Sequence, residues 1–129
     1  RNRPMKKLIN SAKAPAAAGP YSQAIAADRF VFVSGQLPVD PATGSIPEGI
    51  EAQANASLSN VKAVLEAAGC TLNDVVKTTV FLSDMGNFSV VNEIYAGYFG
   101  EPFPARSCFQ VAKLPKDALV EVEAIAVLP

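Results

Sequence analysis

Apolar residues follow two repeating patterns along the chain, separated by turn-forming residues. Over residues 50–68 they recur at steps of three and four, at Ile50, Ala54, Leu58, Val61, Leu65 and Ala68. That is the spacing of one helix face. Gly69 follows as the expected C-terminal cap. A second helix is expected over 88–99, with Val91, Tyr95, Tyr98 and Phe99 on its apolar face. Segments 29–35, 75–82, 105–111 and 120–128 read as strands, from their β-branched and aromatic residues. Pro15, Gly19 and Pro20 punctuate a loop, and residues 40–44 form a turn with Pro and Gly where turns need them. Pro102 and Pro104 force extended chain ahead of the third strand.

This order predicts an α+β sandwich, with both helices on one side of a mixed sheet. Two helices can cover one face only. Residues 30–33, 80–82 and 125–128 nevertheless put apolar side chains on both faces. A second copy of the chain is the expected cover, which makes the protein a homo-oligomer. Loops folded over the sheet are the alternative.

At 129 residues the chain is expected to form one domain over 1–129. Half the residues are apolar and 18% are charged, a composition that excludes disorder. The net charge of −1 conceals an asymmetry. Arg1, Arg3, Lys6, Lys7 and Lys13 open the chain without an acid, and the remainder is strongly acidic. Such a body is a poor phosphate-backbone binder, so nucleic acid is not an expected partner. Residues 1–4, ahead of Met5, read as a tag or processing remnant outside the fold. No run of about 18 apolar residues predicts a membrane span, and no signal-peptide core follows the basic start.

The chain has no His, which removes Ser-His-Asp and Cys-His catalysis and most zinc or iron sites. Cys70 and Cys108 form no CxxC pair and read as free thiols in a reducing compartment. The expected location is the cytoplasm, with the mitochondrial matrix as the alternative for a eukaryotic source. There is no P-loop, GxGxxG or HExxH motif, and the 40–44 turn lacks the acids of a calcium loop. No cofactor or metal is expected, and a small anionic molecule is the expected ligand.

Strand alternation puts Arg106, Cys108 and Gln110 on one face. The last strand, as the expected hairpin partner, offers Glu121 and Glu123 among aliphatic residues. An Arg in an apolar segment needs an anion, and its fork matches a carboxylate. That anion is either a ligand or Glu121 or Glu123, in the same chain or across a subunit interface. Glu121, if partly buried, has a raised pKa and passes protons near neutral pH; otherwise it is a solvated or ion-paired carboxylate. Cys108 is either a nucleophile with Arg106 favouring its thiolate, or a small buried hydrophobe. Tyr21 lines a pocket or anchors its loop. Ser34 and Gly35 hold a ligand through backbone groups or simply end a strand. Asn92 is a pocket residue or an exposed helix residue.

Several segments together resemble the Rid proteins, the reactive intermediate deaminases also called YjgF-type. They are residues 14–24, Val33-Ser34-Gly35-Gln36, Asn60-Val61 and residues 76–80. The most specific are Phe103-Pro104-Ala105-Arg106-Ser107-Cys108, Leu114-Pro115-Lys116 and residues 120–127. The resemblance runs from about Lys6 to Leu128, and the Arg106-Ser107-Cys108 context resembles the RidA branch. It implies a chorismate-mutase-like α+β fold assembled as a homotrimer, with ligand sites at the subunit interfaces. The implied activity is hydrolysis of enamine/imine intermediates such as 2-aminoacrylate and 2-aminocrotonate to 2-keto acids and ammonia. In that scheme Arg106 clamps the carboxylate and Glu121 activates water. Tyr21, Ser34, Gly35, Asn92 and Cys108 line the pocket. The 99–103 connection is shorter than in some bacterial members, which bears on pocket size. The rival readings are a non-catalytic keto-acid-binding trimer and an endoribonuclease acting as a translation inhibitor.

Overall fold

The computed structural model describes residues 5–129, so the remnant expected at residues 1–4 lies outside the described residues. Eight regular elements follow in order: β1 (Lys7–Ile9), β2 (Ala24–Ala27), β3 (Phe30–Gln36), α1 (Ile50–Ala67), β4 (Val75–Leu82), α2 (Phe88–Tyr98), β5 (Ala105–Gln110) and β6 (Val120–Val127). The strands form one mixed sheet in the order β1-β2-β3-β6-β4-β5. β4 and β5 are parallel and every other pair is antiparallel. The expected α+β class holds, with elements within about two residues of their expected bounds.

β1 and β2 were not expected. β1 is three residues long, and β2 is Ala-Ile-Ala-Ala, without the β-branched alternation that announces a strand. They form because β3 offers them an edge. Ala27 pairs with Phe30 across a two-residue turn in which Asp28 takes a left-handed backbone (φ 56°). β5 does not form the expected hairpin with β6; β4 lies between them. The cause is α2, a crossover long enough to return β5 parallel to β4 on its outer side. β6 fits between β3 and β4 and runs antiparallel to both.

α1 ends as its sequence predicts. Gly69 takes φ 84°, its N–H donates to Glu66 O at 3.0 Å, and the Cys70 N–H donates to Leu65 O at 2.9 Å. Leu58, Val61, Val64 and Leu65 of α1 pack on Val31, Val33, Val80, Val120, Val122 and Ala126, all buried. The opposite sheet face carries Phe30, Phe32 and Phe109, each 43–45% exposed, beside the half-buried Ile125 and Val127. The expected uncovered apolar face is therefore present in the single chain. No helix among the described residues is long and apolar enough to cross a membrane.

Buried polar side chains pin the loops that border the sheet. Gln23, 1% exposed, accepts from the Ser11 N–H at 2.7 Å and donates to Ser11 O and Pro15 O at 3.1 and 2.8 Å. Asn60 donates to Leu37 O and Val39 O at 3.0 and 2.9 Å. Gln53 donates to Pro47 O and accepts from the Leu119 N–H at 2.8 Å. Among the described residues no buried side-chain nitrogen or oxygen lacks a partner. Replacing Gln23 by the similarly sized Met removes these bonds and strands the backbone groups they served. Gln23→Met is expected to cost about 1–3 kcal/mol, read by urea unfolding, with faster amide exchange at Ser11. Wild-type stability in that variant would overturn the anchoring role.

Candidate functional site

Glu121 projects from β6 on the face away from the helices. Its pairing shows this: Glu121 lies opposite Phe81, while Val120 and Val122 on either side are fully buried under α1. It borders a cleft of about 640 Å³ whose wall includes Pro15, Tyr21, Ser34, Gly35, Leu37 and Lys116. Burial first, and then the neighbouring Glu123 charge, raises the Glu121 carboxyl above the ordinary carboxylate range. Tyr21 is 53% exposed at the cleft edge, and its hydroxyl accepts from the Ala18 N–H at 3.3 Å. Ser34 is tied back by its hydroxyl, which donates to Ser22 O at 2.6 Å. Lys116 holds a left-handed backbone (φ 59°), as does Asp117 (φ 55°), which pairs with Lys113 at 3.2 Å.

Arg106 belongs to a different environment. It pairs with Thr78, whose hydroxyl shares a 2.6 Å hydrogen bond with Tyr95 of α2 in the core. The guanidinium lies over the Tyr95 ring at 4.9 Å and the Phe88 ring at 5.6 Å. Its Nη1 donates to Asn92 Oδ1 at 2.8 Å. One hydrogen bond and two aromatic faces thus orient the planar fork. A cleft of about 350 Å³ lies beside it, lined by Asn92, Tyr95, Ala96, Phe103, Pro104 and Arg106. Cys108 follows two residues on, partly buried. Burial pushes its thiol up, and the opposing pull of Arg106 is smaller. A favoured thiolate, one alternative left open by the sequence, is therefore not what this environment produces.

The seven candidate residues fall into two groups. Tyr21, Ser34, Gly35 and Glu121 border one cleft; Asn92, Arg106 and Cys108 lie on the helical side of β5 and α2. The sheet separates them within one chain. With β4 between β5 and β6, Arg106 forms no ion pair with Glu121 or Glu123 of its own chain; the sole ion pair among the described residues is Lys113–Asp117. Sequence reasoning missed Gln23, Tyr95 and Thr78. A Gln in an alanine-rich stretch and a Tyr on an apolar helix face carry no signal that they hold a loop or a guanidinium. Among the described residues, no group of three or more His, Cys, Asp or Glu side chains comes together to hold a metal.

A mixed six-stranded sheet with both helices on one face and clefts on either side is an α+β fold, and it superposes on the crystal structure of the E. coli YjgF gene product with a TM-score of 0.90 at 51% identity, covering 94% of this chain and 98% of that one. The chain belongs to the Endoribonuclease L-PSP family, the Rid or YjgF-type group, whose model matches residues 11–128. A RutC family protein of Pyrococcus horikoshii is 55% identical over 95% of this chain and 98% of its own length. The 2-iminobutanoate/2-iminopropanoate deaminase of Bos taurus is 52% identical over 95% of this chain and 90% of its own. The crystal structure of E. coli TdcF with bound serine superposes with a TM-score of 0.91 at 48% identity, covering 95% of this chain and 99% of that one.

The raised Glu121 pKa carries a consequence for stability. The folded state holds the Glu121 proton more tightly than the unfolded chain does. Stability therefore falls as pH rises from the ordinary glutamate pKa through the folded one, and is flat above it. Glu121→Gln removes that loss. The variant is expected to gain stability relative to wild type at pH 7 and to gain less at pH 4, by thermal melting at both pH values. An equal difference at the two pH values would contradict the buried, raised carboxyl.

Proposed function

We propose that this chain, acting as one domain in a cytoplasmic homotrimer, hydrolyses enamine/imine intermediates such as 2-aminoacrylate and 2-aminocrotonate to 2-keto acids and ammonia. The observation that carries the reading is the placement of an aromatic-backed Arg106 and a half-buried Glu121 with a raised pKa on opposite faces of one sheet. Neither half is a complete site. A second copy laid on the exposed Phe30, Phe32 and Phe109 face covers apolar surface and brings one chain's Glu121 cleft to another chain's Arg106. The deaminase name of the cattle relative supports the chemistry. The serine in the TdcF crystal is an amino-carboxylate close in size to the proposed substrate.

In this reading the Arg106 fork grips the substrate carboxylate, with Asn92 and Tyr95 holding the fork in plane. The enamine takes a proton at its terminal carbon and becomes an iminium ion. Water then adds to C2 of the iminium as Glu121 accepts its proton, giving a neutral carbinolamine. The carbinolamine expels ammonia as the same group returns that proton to nitrogen, and the hydroxyl proton lost as the carbonyl forms restores the one first taken up. The products are one keto acid and one ammonia for each enamine and water consumed. A carboxyl with a raised pKa serves both transfers near neutral pH. Cys108, with its thiol held protonated, lines the site and forms no covalent bond.

The test generates 2-aminoacrylate in place with a pyridoxal-phosphate serine dehydratase and follows keto-acid release. Wild type is expected to exceed the spontaneous rate. Arg106→Ala is expected to fall to the spontaneous rate, and Glu121→Gln to lose roughly 100-fold or more in kcat. Co-expressed Arg106→Ala and Glu121→Gln chains are expected to recover about a quarter of wild-type activity, since random mixing in a cyclic trimer rebuilds that share of the interfaces. Mixed assemblies that stay inactive would sink the shared site. Substrate-analogue binding without turnover in wild type would instead favour the keto-acid-binding reading. RNA cleavage that survives Arg106→Ala would show that any nuclease activity lies elsewhere.

A further inference from the structure

The register between β3 and β6 slips at one point. Val33 pairs with Ala124 and Gln36 pairs with Val122, so Ser34 and Gly35 together face Glu123. This is a β-bulge, and both its flanks are fastened. The Ser34 N–H donates to Gln23 O at 2.9 Å, and Gln36 O accepts from the buried Ser57 hydroxyl at 2.7 Å. Gly35 is thereby held beside Glu121. A Cβ on Gly35 would lie 2.6 Å from Glu121 Oε2, 2.9 Å from its Cδ and 3.1 Å from its Cγ. The Gly35 backbone is not among those with positive φ, so alanine could adopt it without strain. What demands glycine here is space, and the occupant of that space is the end of one side chain.

We propose that Gly35 is a positioning residue: its missing Cβ is the berth in which the Glu121 carboxyl lies, and the bulge sets where that carboxyl meets the cleft. This deepens the proposed function and rests on it for the kinetic consequences; the seating of the carboxyl itself does not. With a methyl group in the berth, the carboxyl swings away from β3 toward solvent and the cleft. The charged groups it meets there are Glu123 on its own strand and Lys116 from the loop before β6, with the Tyr21 phenol opposite. Loss of burial and approach to Lys116 both lower its pKa. A group moved by an ångström from its working position loses much of its rate advantage.

Gly35→Ala is compared with wild type in three measurements: the Glu121 carboxyl titration by ¹³C NMR, the coupled dehydratase assay, and thermal melting. The titration midpoint is expected to fall toward the ordinary glutamate value. kcat is expected to drop by roughly tenfold or more, with KM changed by less than about threefold. In a Glu121→Gln background, Gly35→Ala is expected to add no further loss. An unchanged midpoint in Gly35→Ala overturns the proposal, as does an equal rate loss in both backgrounds. If wild type proves inactive on both enamines, the proposed function falls and the titration alone decides the role of Gly35. If Gly35→Ala fails to fold, the Gly35→Ala, Glu121→Ala double variant decides. Recovery of folding supports the berth, and continued failure overturns it.

Discussion

Strand β6 runs antiparallel to both neighbours, and its side chains alternate between two unlike environments. Val120, Val122, Ala124 and Ala126 enter the helical core, while Glu121, Glu123, Ile125 and Val127 face the other way. A slip of one residue would bury two carboxylates and expel four core residues. The register is therefore held by the large free-energy difference between those arrangements. It in turn decides which face Glu121 occupies, which residue of β3 lies beside it, and that Arg106 lies across the sheet. The bulge at Ser34 and Gly35 is the one place where β3 departs from strict pairing with β6, and it sits at the cleft.

Strongly patterned elements were legible in the chain. α1 announces itself by its apolar spacing and its glycine stop; β4 and β6 do so by β-branched residues. β1 and β2 were illegible because short or alanine-rich strands form only when a neighbouring edge recruits them. The strand order was misread at β5 for a different reason. Sequence neighbours pair often, but the return through α2 commits β5 to a parallel place outside β4.

The candidate residues were legible as types and illegible as an arrangement. Arg106 stood out because a guanidinium in an apolar segment needs a partner, and Glu121 because a carboxylate between valines does. Whether the two met could not be read without the strand order. The supporting residues were harder still. Gln23 and Asn60 act by hydrogen bonds to carbonyls far along the chain, and the Thr78 hydroxyl reaches Tyr95 only once β4 and α2 are packed. Gly35 reads as a strand end until the side chain opposite it is known.

The turn at Lys116 and Asp117 has a bearing on how such chains drift. Two successive non-glycine residues hold left-handed backbone there, a conformation that costs an L-residue about 1–2 kcal/mol and excludes β-branched side chains. Backbone preference pulls position 116 toward glycine or asparagine. The Glu121 carboxyl in the same cleft pulls it toward a cation. A descendant that kept lysine would retain a positive charge at the mouth of the cleft at the expense of a stiffer turn. One that took glycine would relax the turn and leave the cleft wholly acidic, so this single codon trades folding ease against the sign of what the cleft attracts.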